Sequence, residues 1–372
     1  MFAKVQTIMQ IIENLAPKKY ALEMDNVGLQ VGDPNNEINK ILVALNVSNE
    51  VVDEAIKKGS NMIVSHHPLI FNKLSSVRND LYIGEVIHKL IKNDINVYCA
   101  HTNLDIAPGG VNDVLAKELK LESVKPLQIT NYDSFKKIVV FVPKQYVDNV
   151  INALANAGAG WIGNYSHCTF RAEGKGTFMP LEGTNPFIGK TGKIEEVEEY
   201  RIETVVIESK LKKAVRAMLN AHPYEEVAYD IYNLDNEGKP LGLGRIGTLS
   251  HPISLKELIQ TVKEILEINS VKLAGDLNRN VKKIAVCGGS GASLIHQASF
   301  KGADVLITGD VKYHQAQEAV NLGLSIIDVG HWESEKLILP VLAATIKKGL
   351  DEIKSKTQVI KSEVNESVFK FV

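Results

Sequence analysis

Apolar positions along this chain follow two periods. At both ends, short continuous apolar runs alternate with stretches of helical spacing. I-L-V-A-L-N-V (41–47), N-M-I-V-S (61–65) and N-V-Y-C-A (96–100) are continuous runs, and each predicts a buried strand. Between them, N-E-V-V-D-E-A-I-K-K-G (49–59) and D-L-Y-I-G-E-V-I-H-K-L-I-K (80–92) gather their apolar residues on one helical face. Continuous apolar strands separated by helices predict a parallel sheet covered on both faces.

The C-terminal part repeats the pattern. Strands are predicted at 283–287, 305–308 and 325–329, helices at 292–302 and 314–323, and a long helix from about Glu333. The two ends also align with each other. K-G-S-N-M-I-V-S-H-H (58–67) lies against K-G-A-D-V-L-I-T-G-D (301–310), and I-N-V-Y-C-A-H (95–101) against S-I-I-D-V-G-H (325–331). This predicts an α/β fold in which two βαβ-type repeats pack about a pseudo-twofold axis with their strand tips on one side. The chain between them changes period. F-K-K-I-V-V-F-V-P (135–143), C-T-F-R-A-E-G-K-G-T-F-M-P (168–180), Y-R-I-E-T-V-V-I-E (200–208) and V-A-Y-D-I-Y-N-L (227–234) read as strands, with helices at 146–158 and 212–222. The order β-α-β-β-α-β predicts an α+β ferredoxin-like module. The expected organisation is a discontinuous core, 1–129 and 237–372, interrupted by an insert at 130–236.

Composition narrows the function classes. The 372 residues are 45% hydrophobic and 23% charged, as in ordinary globular proteins. A formal net charge of −2 leaves no electrostatic footprint for nucleic acid. Cys99, Cys168 and Cys287 are scattered, without the spacing of a thiolate zinc site or a disulfide framework, which suits a reducing cytoplasm. The longest apolar run, 337–346, is far short of a membrane span of roughly 20 residues, and the N-terminus reads as an amphipathic helix rather than a signal peptide.

Candidate chemistry gathers at the strand ends, where open α/β sheets bind ligands. In V-S-H-H-P-L-I-F (64–71), adjacent side chains would point to opposite faces of a continuing strand. If the strand stops at Ser65, His66 and His67 can both sit at its tip and serve two neighbouring metals. Each copy of the repeat ends in a histidine with a carboxylate four residues on: His101 with Asp105, and His331 with Glu335. Such a pair at the start of a helix shares one face. Each residue also has a plainer role, Asp105 as a turn cap and Glu335 as a helix-start acid. Their joint placement favours metal. His66, His67, Asp105, His331 and Glu335 suit zinc, iron, manganese or nickel, and five donors exceed what one catalytic zinc usually takes. His101, Asp310 and His314 are candidates for orienting ligands or moving protons, as are Asp25 and Asn26. The loop C-G-G-S-G-A-S (287–293) could cradle a phosphate, although it lacks a P-loop lysine.

M-D-N-V-G-L-Q-V-G (24–32), V-S-H-H-P-L-I-F (64–71), A-H-T-N-L-D (100–105), I-T-G-D-V-K-Y-H (307–314) and G-H-W-E-S-E (330–335) together resemble the Nif-three-like dinuclear metal-centre hexameric proteins, also catalogued as GTP cyclohydrolase 1 type 2 homologues. The resemblance implies two divalent metal ions per chain, held by His66, His67, Asp105, His331 and Glu335. It also implies a toroidal homohexamer and a nucleotide such as GTP as substrate. The insert, including H-P-Y-E-E-V-A (222–228), resembles a CutA/PII-like module. Met24 stands where the family often has an aromatic residue. Two functions follow: a metal-dependent hydrolase that opens a purine ring with activated water, or a non-catalytic metal-binding scaffold or regulator whose insert binds an effector.

Overall fold

The computed structural model describes residues 1–364 and 367–369. Its chain divides into two compact units, Met1–Asn131 with Leu241–Val372, and Tyr132–Pro240. The whole is a mixed α/β chain with several sheets.

The first unit holds two larger sheets. In one, Gln358–Lys361, Lys40–Ala44, Met62–Ser65 and Asn96–Cys99 run parallel in that order, and Gly28–Val31 closes the edge antiparallel to Asn96–Cys99. The strands Lys40–Ala44, Met62–Ser65 and Asn96–Cys99 are buried nearly throughout, as their unbroken apolar runs require. In the other sheet, Asn280–Val286, Val305–Thr308 and Ser325–Asp328 are parallel. Lys272–Ala274 flanks them antiparallel on one side, and Lys239–Ser254 on the other. Glu122–Asp133 forms the far edge.

The N-terminal helix Val5–Leu15 buries Val5, Ile8 and Ile12 at helical spacing. They share one apolar cluster with Leu342, Ile346 and Leu350 of the helix Ile338–Glu352. The expected long helix from Glu333 is two pieces. His331–Glu335 forms a short helix, and Ile338–Glu352 follows it. Arg245, 4% exposed, ties distant segments of this unit together. Its guanidinium donates to the Gly242 and Gly244 carbonyls at 2.8 and 2.9 Å, to the Ile106 carbonyl at 3.2 Å, and to Asp113.

The second unit is one antiparallel sheet with the strand order Tyr229–Asn233, Phe135–Pro143, Glu195–Ile207, Thr169–Phe178. Helices Val147–Asn156 and Glu208–Ala221 supply Val150, Leu154, Ala214 and Met218 to a core with Ile138, Val140, Val142, Ile202 and Val206. Those strand positions alternate, so one face of the sheet meets the helices and the other does not.

No helix among the described residues is long and apolar enough to cross a membrane.

Candidate metal centre

The strand Met62–Ser65 stops at Ser65, and the next two residues leave it as adjacent donors. The backbone N–H groups of His66 and His67 donate to Ala44 and Leu45, which fixes the turn. The ring centroids of the two histidines are 4.9 Å apart. From the other sheet of the same unit, the short helix after Asp328 brings His331 and Glu335, one turn apart, to the same place. Asp105 arrives on the helix Thr102–Ile106, just beyond the strand Asn96–Cys99.

Glu335 lies at the middle of the cluster. Its Oε1 is 3.6 Å from His66 Nε2. Its Oε2 is 2.8 Å from His67 Nε2 and 3.4 Å from His331 Nε2. Asp105 Oδ1 is 3.6 Å from His66 Nε2, and the Nε2 atoms of His67 and His331 are 3.2 Å apart. The ligand atoms of His66, His67 and Glu335 all lie within 4.8 Å of one another. Five side chains from three separate parts of the chain therefore converge on one volume.

A second set of contacts fixes each imidazole from behind. His66 Nδ1 sits 2.8 Å from the Ala100 carbonyl, His67 Nδ1 2.8 Å from Asn46 Oδ1, and His331 Nδ1 2.7 Å from Asp310 Oδ2. An acceptor at Nδ1 demands a proton there. In the neutral ring the lone pair is then on Nε2, facing the cluster, as metal-ligating histidines are usually oriented. Asp310 holds a left-handed backbone, φ 56°, in doing this. Asp310 therefore orients the His331 ring.

The buried polar atoms test whether a cation fits. His66 Nε2 and Asp105 Oδ1 are buried and without a hydrogen-bond partner. Glu335 Oε2 is buried too, and its approach to His67 lacks the alignment of a hydrogen bond. Orphaned buried polar atoms cost about 1–3 kcal/mol each, and more when charged. Three of them aimed into one imidazole–carboxylate cluster are what a divalent cation satisfies, so the donor set fits one.

Charge tells the same story. Burial alone would depress the His66 imidazolium, but Asp105 and Glu335 outweigh it and raise its pKa to about 9. The Glu335 carboxylate, 3.4 Å away, outweighs burial, and Asp310 adds to this, so His331 also rises to about 9. Burial lifts Asp105 to about 6 against the pull of His66. Glu335 is held well below the carboxylate range: burial opposes this, but His66, His331 and His67 prevail. Protons on imidazoles balance the acids where a dication otherwise would.

His101 stands beside the cluster, its centroid 5.4 Å from that of His66 and 5.7 Å from that of His67. Its Nδ1 is 2.9 Å from Asp25 Oδ1, and Asp25 Oδ2 accepts from the Thr102 N–H at 3.1 Å. Burial would raise Asp25, but His101 and Thr102 bring it down to about 2. His314 does not join this group. It is exposed, and its ring contact is Tyr313. Met24 is 89% exposed, so the departure there lies on the surface.

The loop 287–293 has a different part from the phosphate cradle considered above. The Gly288 N–H donates to Asn112 Oδ1, Gly289 N–H to Ser334 Oγ, and Gly291 N–H to Thr308 Oγ1. Those amides are already engaged. Gly289, φ +64°, instead lets the backbone press on the cluster. A Cβ there would stand 2.3 Å from Glu335 Oε1 and 3.2 Å from His331 Nε2. Asn46, Asn112 and the Ala100 carbonyl complete the centre without any local sequence signal.

The chain as a whole matches a described family. The model of Duf34/NIF3 (NGG1p interacting factor 3) matches residues 3–367. The chain belongs to the DUF34/NIF3 family. It is 47% identical to a Halalkalibacterium halodurans protein named GTP cyclohydrolase 1 type 2 homolog, over 100% of this chain and 99% of that one. A Bacillus subtilis protein of the same name is 46% identical, over 99% and 98%. Among solved structures, a Bacillus cereus protein related to NIF3 aligns over 100% of both chains with TM-score 0.89 and 46% identity. A Staphylococcus aureus protein aligns over 100% and 99%, with TM-score 0.72 and 32% identity.

Proposed function

We propose that this DUF34/NIF3 chain is a metal-dependent hydrolase with a dinuclear centre held by His66, His67, Asp105, His331 and Glu335. The observation that carries the reading is the Glu335 carboxylate. One oxygen faces His66, and the other faces His67 and His331. The donors thus form two lobes sharing one carboxylate, a set that would hold two ions rather than one. Imidazole and carboxylate donors suit zinc, iron, manganese or nickel.

Such ions supply Lewis acidity and bring water deprotonation towards neutral pH. The chain's own groups do the rest. Asn46, Asp310 and the Ala100 carbonyl hold three imidazoles in the ligating tautomer. Asp25 holds His101 with its proton on Nδ1, so Nε2 can take or give a proton beside the centre. The name printed for the relatives points to the purine ring of a nucleotide such as GTP, opened by hydrolysis, as the substrate.

We also read the two three-strand parallel sets as repeats, and the insert, from its strand order, as a ferredoxin-like module. A homohexamer in the cytoplasm completes the proposal, and light scattering at about six times the chain mass is its check.

The test of function is direct. Metal-loaded protein is incubated with GTP, and formate and the ring-opened product are followed. The expected result is turnover that falls more than about 100-fold in Glu335→Gln. Turnover indifferent to that change overturns the assignment. No turnover in metal-loaded protein, with assembly lost in Glu335→Gln, leaves the scaffold reading in its place.

A further inference from the structure

The insert carries a cavity of its own, 630 Å3 in volume, on the sheet face that its helices leave bare. Register sets its floor. Phe141, Arg201 and Ala172 lie abreast across three strands, and Glu199 pairs with Gly174 on the same face. The connection after Thr169–Phe178 contributes Pro186 and Phe187 to the lining, and Tyr224 meets the floor through its hydroxyl on Glu199. The Tyr224 ring lies 5.9 Å from that of Phe178 and 6.2 Å from that of Phe187.

Three features define an occupant. The walls are aromatic: Tyr224 packs against Phe178 and Phe187 at tilted angles, and the three line the cavity as apolar ring surface that a flat molecule can pair with. A glycine sits where a side chain would fill the space: a Cβ at Gly174 meets nothing within 4 Å, and its φ lies outside the left-handed region. The lining acids, Glu173, Glu199, Glu225 and Glu226, outnumber Lys175 and Arg201, so an anion is repelled. Glu199 is half-buried among these rings. Its Oε1 accepts from the Tyr224 hydroxyl at 3.0 Å, and its Oε2 lies on the Gly176 side of the floor, ready to accept another hydrogen bond. A hydrocarbon chain would strand that carboxylate; a ring with an N–H edge would pair with it.

We infer that the insert cavity is a binding site for a neutral or cationic planar nitrogen heterocycle, stacked against Phe187 and Tyr224 and hydrogen-bonded through an N–H edge to Glu199. The volume lies within the range usual for small-molecule sites. This site is independent of the metal centre, which lies wholly in the other unit.

The test uses 2-aminopurine, a flat fluorescent heterocycle with N–H donors whose emission falls on stacking. Full-length protein is titrated, and each variant is first checked for native circular dichroism and oligomer mass. The expected result is saturable quenching with a dissociation constant below about 1 mM. Gly174→Leu, which fills the cavity, and Phe187→Ala, which removes a wall, should each weaken binding more than about tenfold. Glu199→Gln should weaken it about fivefold. Because a purine also belongs to the substrate class proposed for the metal centre, Glu335→Gln is the control, and it should bind as the natural chain does. If Gly174→Leu fails to fold, Phe187→Ala decides. The inference is overturned by an absence of saturable quenching, by quenching that survives the cavity variants, or by quenching lost in Glu335→Gln. A cavity variant that changes oligomer mass while the natural chain shows no binding assigns this face to contact between copies instead.

Discussion

In the core unit the telling polar atoms are buried and left without partners, whereas in the insert cavity the polar groups are half-exposed or already paired. His66 Nε2 and Asp105 Oδ1 are sealed from water with nothing to bond. Glu199 keeps the Tyr224 hydroxyl at 3.0 Å. The first arrangement is unstable in isolation and calls for a strong, compact, doubly charged partner. The second is stable as it stands, and gains from a flat organic molecule that covers apolar rings. Where buried charge lacks partners, expect an ion; where concave aromatic surface is open, expect a ring system. The contrast extends to support: each imidazole of the core cluster is braced through Nδ1, whereas the cavity wall is largely a loop connection.

The largest effect tests that bracing at the level of the fold. Arg245 is buried and donates to four backbone carbonyls besides Asp113. Arg245→Ala leaves those acceptors and an acid unpaired, and should cost about 3–5 kcal/mol in denaturant unfolding. The insert's Lys175–Glu196 pair is 62% and 57% exposed, and Lys175→Ala should leave the midpoint where it is. Equal effects would erase the contrast between the units.

A smaller effect comes from Asp25. Its ordinary pKa of 3.8 falls to about 2 in the folded chain, so it stabilises the fold above pH 3.8 and loses that contribution as pH falls through 2. The linkage is worth about 2 kcal/mol at neutral pH. Asp25→Asn should lower stability by that amount at pH 7, with the difference from the natural chain shrinking towards zero near pH 2. A difference that holds constant across the acid range would show that the carboxylate charge is not what matters.

The smallest concerns Asp310. Asp310→Asn keeps an acceptor for His331 Nδ1 but removes its charge, and should weaken metal affinity about tenfold in calorimetric titration. It should leave 2-aminopurine binding untouched. No change in metal affinity would mean that the His331 ring needs no support.

Much of this was legible from pattern alone. Val305–Thr308 and Phe135–Pro143 are strands at the expected residues, because an unbroken or cleanly alternating apolar run has few other ways to bury itself. The stop at Ser65 followed from the need of His66 and His67 for one site. The strand Lys239–Ser254 was invisible, since two prolines and three glycines interrupt any period, and only its sheet neighbours hold it extended. The helix Leu255–Leu266 does carry a local signal, since S-L-K-E (254–257) forms a capping box at its start. Within the centre, side chains that supply donors could be named from type and spacing. Asn46 and Arg245 could not, because their partners are far away in the chain. The Ala100 carbonyl has no residue signature at all, and Gly289 is explained only by the Glu335 oxygen against it.

The central claim is that Glu335 is shared between two cations. Anomalous diffraction from crystals of metal-loaded protein tests it most directly. The account predicts two peaks ~3.5–4 Å apart, one on the His66 and Asp105 side of Glu335 and one on the His331 side. A single peak, or peaks away from these five side chains, would contradict it.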